Sequence, residues 1–362
     1  MKKILILSSF PAPYRVDVFK GIADTYEIDL IFATDKDQNR SKDFFVGKGP
    51  GNYLVNDHPE DRDRIQKCIT NLSSYAFVLA YDWYLPYAIR IIEKCIRKGV
   101  PYVINCDGAF LPTNHGIISK LKNLIKRRYI RHAQKCLASG EYASAYFRFY
   151  GAKQENIVVH PFSSLHESDM ADALNNIPKD QMKKQLGLLD NKMVLSVGQF
   201  IYRKGFDILL NAWRELDNEY QLVIIGGGEL KGEYQHIIET SGYKNVKLID
   251  FVPFSEVAMY YDAADIFVLP TREDIWGLVI NEAMAHGIPV VSSDRCIAAC
   301  ELIEDNINGY IVECENETVL QNRIKLLLET DCSAISCANR KKIKRHTIEN
   351  VVSCHMKAFS DL

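Results

Sequence analysis

The chain has 362 residues, 47% of them hydrophobic and 25% charged. That is apolar material for two cores, since domains usually run to about 100–200 residues each. A formal net charge of -2 excludes the strongly basic balance of a general nucleic-acid binder, while leaving room for local basic patches. The ten cysteines sit singly with no C-x-x-C pair, Cys296 and Cys300 being four apart, so reduced thiols of a cytoplasmic protein are expected rather than disulfides or a zinc site.

The first residues, Met1 to Leu7, look like the start of a signal peptide, but the apolar run is short and Ser8-Ser9-Phe10-Pro11 stops it, so it reads as a buried first strand. No stretch approaches the ~18–20 apolar residues of a spanning helix. Strands are expected at Ile4–Leu7, Ile28–Phe32, Phe77–Ala80, Tyr102–Asn105 and Lys135–Ala138, and then at Met193–Val197, Gln221–Ile225, Val246–Ile249, Ile266–Leu269, Pro289–Ser292 and Tyr310–Val312. Runs of Val, Ile and Leu without polar alternation suit parallel strands covered on both faces, and helical segments alternate with them. This rhythm predicts an α/β protein of two doubly wound domains with a cleft between them. It breaks in the polar stretch from Ser163 to Lys192, around Asn175-Asn176-Ile177-Pro178, where the linker is expected. The domains are accordingly set at 1–170 and 185–345.

The densest local signal runs from Pro270 to Val291. A strand ends at Pro270, a loop carries Asp274, and a helix runs from near Gly277 to Ala285 and closes at Gly287. Free N–H groups at that helix start form an anion site, and Asp274 or Glu282 could grip sugar hydroxyls. The plainer alternative is that Asp274 caps the helix and Glu282 lies on a solvated face. Upstream, Gly198-Gln199-Phe200-Ile201-Tyr202-Arg203-Lys204-Gly205 is either an exposed basic loop or a cationic turn facing an anion. Gly226-Gly227-Gly228 is either a tight turn or a place where backbone approaches a ligand.

Taken together, these segments resemble the signature of the retaining GT-B enzymes of glycosyltransferase family 4, the group 1 glycosyltransferases. The family pattern reads acid, seven residues, Glu, then Ala-Met-Ala, a small residue, Gly, an apolar residue and Pro-Val. Here the first acid is Asp274, where the family usually has Glu, and the second is Glu282. The resemblance implies a GT-B fold, two Rossmann-like domains facing a central cleft, with a final helix at about 346–362 packed back on the first. It implies that Asp274 faces the donor sugar, that Glu282 holds the ribose, and that backbone at Gly277, Leu278 and Val279 holds the diphosphate. Lys204 matches the family's lysine, Gln199 stands at its usual arginine position, and Arg203 could supply the second cation. Gly228 matches the glycine turn near the nucleotide, and Val252, in Ile249-Asp250-Phe251-Val252-Pro253, falls in the segment that reads the base.

The first half is read as the acceptor side. Tyr14 and Arg15 follow the first strand, where family members place a flexible loop, although Pro11 and Pro13 could merely shape the turn. Asp107 ends the strand Tyr102–Asn105 and could orient the acceptor hydroxyl or take its proton, unless it only makes an Asp-Gly turn. It stands where related enzymes often have a His, with His115 farther on, and His160 reads as structural. Ser119–Lys135 reads as a one-signed basic amphipathic helix, suited to an anionic lipid surface or a lipid-linked diphosphate acceptor. Metal independence is expected, because no D-x-D form follows a donor-side strand; Asp35-Lys36-Asp37 has that form but lies in the half opposite the donor site. No cofactor is expected beyond a UDP- or GDP-type sugar donor. The function implied is retaining, hexosyltransferase-type transfer to a carbohydrate or lipid-linked acceptor hydroxyl in bacterial cell-surface polysaccharide or lipid-linked oligosaccharide synthesis. The expected place is the cytoplasm, peripheral to the inner face of the plasma membrane. A sugar-nucleotide epimerase of the same fold and a non-catalytic nucleotide-sugar-binding module are the alternatives.

Overall fold

The computed structural model describes residues 1–35, 53–112, 116–172, 177–216 and 219–362. Lys36-Asp37, His115 and Asn175-Asn176 lie outside the described residues. The chain forms two compact units, Met1–Ser164 with His346–Leu362, and Leu165–Arg345.

The first unit contains β1 (Lys3–Ser8), α1 (Pro13–Ala23), β2 (Glu27–Phe32), β3 (Tyr53–Val55), α2 (Arg62–Thr70), β4 (Val78–Ala80), α3 (Pro86–Lys98), β5 (Tyr102–Cys106), α4 (Ile117–His132), β6 (Lys135–Ala138), α5 (Glu141–Phe149) and β7 (Ile157–Val159). The second contains α6 (Glu167–Asp172), α7 (Lys179–Gln185), β8 (Met193–Val197), α8 (Phe206–Ala212), β9 (Gln221–Ile225), α9 (Lys231–Ser241), β10 (Val246–Ile249), α10 (Phe254–Ala263), β11 (Ile266–Leu269), α11 (Leu278–Ala285), β12 (Val290–Ser293), α12 (Ile297–Leu302), β13 (Gly309–Val312), α13 (Glu317–Glu329) and α14 (Ser333–Ile343). The last helix, α15 (Ile348–Phe359), belongs to the first unit.

Both sheets are parallel. Their strand orders are β3-β2-β1-β4-β5-β6-β7 and β10-β9-β8-β11-β12-β13. Ile4 to Leu7 and Ile266 to Leu269 are fully buried, as expected of strands covered on both faces. In each sheet the order reverses beside the first strand, between β1 and β4 and between β8 and β11. Open α/β sheets bind ligands at such switch points, outside the strands' carboxyl ends.

Two strands escaped the sequence pattern, β3 and β7, which are three-residue edge strands too short to make an apolar run. The units divide after Ser164, inside the stretch read as linker, and α7, within the same stretch, packs on α10. Its polar residues are anchored: Lys183 lies buried with its ammonium 3.1 Å from Asp265, which Lys179 also reaches at 3.1 Å. Burial alone would raise the Asp265 pKa, but the two lysines outweigh it and hold it below the ordinary carboxylate value. The basic helix also ends earlier than read. Lys135 opens β6, and α4 stops at His132.

On the first unit α15 covers α1. Phe359 packs against Phe77 with ring centroids 4.8 Å apart, and the Tyr81 hydroxyl lies 2.8 Å from Nε2 of His355.

Candidate active site

At the switch point of the second sheet, β8 runs into a tight turn at Tyr202–Lys204, and β11 runs into the loop from Pro270 to Gly277. The two meet at Asp274. Its carboxylate lies 2.5 Å from the Lys204 ammonium and 3.5 Å from the Arg203 guanidinium. Lys204 and Asp274 are both buried. Burial would push the Asp274 pKa up, but Lys204, Arg203 and the Trp276 N–H outweigh it, so the carboxyl stays below its ordinary value and ionised. Asp274 therefore presents no bare carboxylate: it holds the cationic turn in place. Other bonds join the same two loops. The Arg272 N–H and the Thr271 hydroxyl both donate to the Arg203 carbonyl, each at 2.8 Å. The Arg272 guanidinium grips Asp207 at 2.9 and 2.6 Å and lies over the Tyr202 ring, 4.0 Å from its centroid.

Two residues after Trp276, α11 begins. Gly277 has φ 94°, a left-handed value, and a Cβ there would come within 2.7 Å of Cys296 Sγ, so only glycine lets the loop enter the helix this way. Among the described residues no side chain caps α11, and the first-turn N–H groups of a helix, here from Gly277 to Val279, have no partner within the helix itself. One turn farther on, Glu282 accepts from the Tyr261 hydroxyl at 2.9 Å. Burial, and then Glu282, push the Tyr261 pKa well up, so this hydroxyl stays a donor that orients the carboxylate. The turn after β9 runs beside the turn after β8 so closely that a Cβ on Gly226 would meet the Gly198 carbonyl at 1.8 Å. Gln199 is half-buried on the first of these turns and Gly228 exposed on the second; Val252 is half-buried in the loop after β10. Two cations, one carboxylate and an uncapped helix start leave the switch point net positive. That is the electrostatics of a diphosphate site.

The first unit carries a counterpart. Arg15 enters α1 just after β1, is buried, and lies 2.5 Å from Asp82 after β4 and 2.5 Å from Asp107 after β5. Asp82 also accepts from the Ser9 N–H at 2.7 Å. Burial opposes both charges, but Arg15 still holds the Asp82 carboxyl below its ordinary pKa, and Asp82 and Asp107 raise the Arg15 pKa well above its own. Asn105 donates to Asp107 at 2.6 Å, and its carbonyl lies 3.1 Å from Nε2 of the buried His160. Tyr14 turns its ring against Phe162, with centroids 5.4 Å apart.

The sequence profile described as glycosyl transferases group 1 matches residues 178–347, nearly the whole second unit. Over those residues the chain resembles the group 1 glycosyl transferases. An uncharacterised glycosyltransferase of Haemophilus influenzae is 28% identical over 176 residues, 47% of this chain and 49% of that protein. The amylovoran biosynthesis glycosyltransferase AmsK of Erwinia amylovora is 34% identical over 164 residues, 42% of this chain and 40% of that one. The chain thus matches about half the length of these curated relatives or less. Among solved structures, Anabaena Alr3699/HepE in complex with UDP superimposes with a TM-score of 0.79 at 19% identity, covering 100% of both chains. That likeness is one of fold, and with the two parallel-sheet units it makes the architecture GT-B.

Within the second unit, reading the sequence missed two residues that the geometry makes structural partners of the site, Tyr261 and Arg272. Arg272 lay inside the signature, but nothing in the pattern pointed to Asp207. Tyr261 left no signal, since a tyrosine in an apolar helix reads as core. Asp82, on the first unit, did leave one: it is an acid just past the carboxyl end of a buried strand.

Proposed function

We propose that the chain transfers a sugar from a nucleotide-activated donor to an acceptor hydroxyl, with retention and without a metal. The observation that carries this reading is the meeting of Lys204 and Arg203 with Asp274 beside the uncapped start of α11. The leaving diphosphate would sit on the two cations and the helix N–H groups, which stabilise its growing charge. It would also help deprotonate the incoming hydroxyl on the same face of the sugar. Glu282, oriented by Tyr261, would hold the ribose, and Asp107 would orient the acceptor hydroxyl. A UDP- or GDP-type donor fits the phosphate site, and UDP is what the Anabaena relative holds. Bacterial cell-surface polysaccharide or lipid-linked oligosaccharide is the product class we favour, as the name of the Erwinia relative suggests.

Glu282→Ala tests the donor site. A carboxylate gripping ribose hydroxyls contributes about 1.5–3 kcal/mol, so UDP affinity should weaken by about 10–100-fold in calorimetry. Affinity within a factor of about two of the unmodified protein would remove the ribose role. Product analysis separates the rivals: an epimerase releases an epimer with no acceptor present, and a non-catalytic module turns nothing over.

An anionic membrane surface is the partner we assign to α4. No described helix is long and apolar enough to cross a membrane. On α4, Leu124 and Ile125 are exposed among the exposed Lys122, Arg127 and Arg131. The charge is less one-sided than the sequence suggested, because Arg128 pairs with Glu93 of α3 at 3.1 Å and Lys126 turns inward over the Tyr146 and Tyr150 rings. The side chains of Lys120 and Leu121 lie outside the described residues. Changing Lys122, Arg127 and Arg131 together to Glu should abolish sedimentation with anionic liposomes, since each cation contributes about 1 kcal/mol at such a surface. Undiminished sedimentation would end this assignment.

A further inference from the structure

The two switch points share one plan with opposite charge. Each places a cation shortly after its first strand and pairs it, at 2.5 Å, with an aspartate after the neighbouring strand: Lys204 with Asp274, and Arg15 with Asp82. The third member differs. In the second unit it is Arg203, and the cluster is net positive. In the first it is Asp107, and the cluster is net negative. A net positive site takes an anion. A net negative one repels anions and offers carboxylate oxygens to neutral donors, above all hydroxyls.

Three further observations make the first-unit cluster a ligand site and not only a buried ion pair. The Arg15 Nε–H is buried and has no hydrogen-bond partner among the described residues, although Arg15 is only 7% exposed. Buried donors are nearly always satisfied, so this one calls for an acceptor. Asp107 is half-buried and keeps lone pairs beyond those used by Arg15 and Asn105. Beside them, Tyr84 is 58% exposed, with its hydroxyl 3.4 Å from Asp82. A flat apolar ring next to fixed carboxylates suits a pyranose, whose C–H face stacks on the ring while its hydroxyls donate to the acids.

We propose that Arg15, Asp82, Asp107 and Tyr84 form the subsite for the acceptor sugar, and that it accepts an uncharged pyranose and rejects an anionic one. This rests on the reading of the first unit as the acceptor side. Arg15 fixes both carboxylates in place and holds Asp82 ionised, Asp107 receives a sugar hydroxyl, and Tyr84 is the platform.

The test is ligand-observed NMR on the full chain, with methyl β-glucopyranoside and methyl β-galactopyranoside against the matching methyl uronides. The neutral glycosides should bind, and the uronides at least about tenfold more weakly, since an added carboxylate meets unbalanced like charge. Tyr84→Ala, a change at an exposed ring, should weaken neutral-glycoside binding by about tenfold. Asp107→Asn should remove the discrimination against uronides, a change of selectivity that a merely structural role would not produce. Equal binding of neutral and anionic sugars, no binding of either, or a Tyr84→Ala protein that binds as before would overturn the proposal. UDP titration of the same unmodified sample reads the donor site separately, so loss of one reading leaves the other visible.

Discussion

Replacing Lys204 with methionine is expected to lower the turnover number by about 10²–10³-fold, the usual cost of deleting one group that stabilises charge developing in a transition state. The stem of methionine fills much of the lysine's place, but no positive charge remains beside the leaving diphosphate except Arg203. The change also has a second consequence. Asp274 is buried, and Lys204 is the largest of the influences that keep it ionised there, ahead of Arg203 and the Trp276 N–H. Removing the close partner of a buried carboxylate costs about 3–5 kcal/mol, and the more distant Arg203 offsets only part of that. Lys204→Met should therefore lose both activity and thermal stability, which by itself would not separate chemistry from folding. The double variant Lys204→Met with Asp274→Asn does separate them. Removing both charges should recover most of the stability, because a neutral pair carries little desolvation cost, while turnover stays low. If the double variant regains turnover together with its melting temperature, Lys204 is a structural partner of Asp274 and not the group that meets the diphosphate.

The inner strands of the second unit were legible because they are buried almost throughout on both faces and so write themselves as continuous apolar runs. Met193–Val197, Gln221–Ile225 and Ile266–Leu269 were placed to the residue. The edge strands β3 and β7 were not, because three residues carry no period. The units divide inside the stretch read as linker, but α7 within it was not legible because it is held by ion pairs to Asp265, 82 and 86 residues away. The same limit governed the site. Asp274, Gly277 and Glu282 share one short segment, so their spacing was visible. The pairing of Lys204 with Asp274 spans 70 residues, and that of Arg15 with Asp82 spans 67. Sequence shows which acids and bases end strands, but the strand order decides which of them meet. Once the reversal between β1 and β4 is known, Asp82 becomes the expected partner of Arg15, as Asp274 is of Lys204 beside the reversal between β8 and β11.

That equivalence makes the first-unit pair a sharper test than its burial alone suggests. Arg15→Met should destabilise the protein by about 3–5 kcal/mol at pH 7, because it strands two carboxylates, one of them buried, without their cation. The pH dependence of the loss carries the argument. In the unmodified protein Asp82 has a depressed pKa, so its contribution to stability is complete above the ordinary carboxylate range and disappears as the pH falls through the folded-state value. In Arg15→Met, burial is left to act and raises the same pKa above its unfolded value. The variant then carries its penalty at neutral pH and sheds it as acid neutralises Asp82. The stability difference between the two proteins should therefore be largest near pH 7, should shrink as acid neutralises Asp82 in the variant, and should close only below the depressed folded-state value of the unmodified protein, where both forms hold the carboxyl protonated. Denaturant unfolding at a series of pH values would show this. A difference that stays constant with pH would mean that Arg15 contributes packing against Tyr14 and Tyr81 and not charge, and the net negative cluster required of the first unit would lose its electrostatic basis.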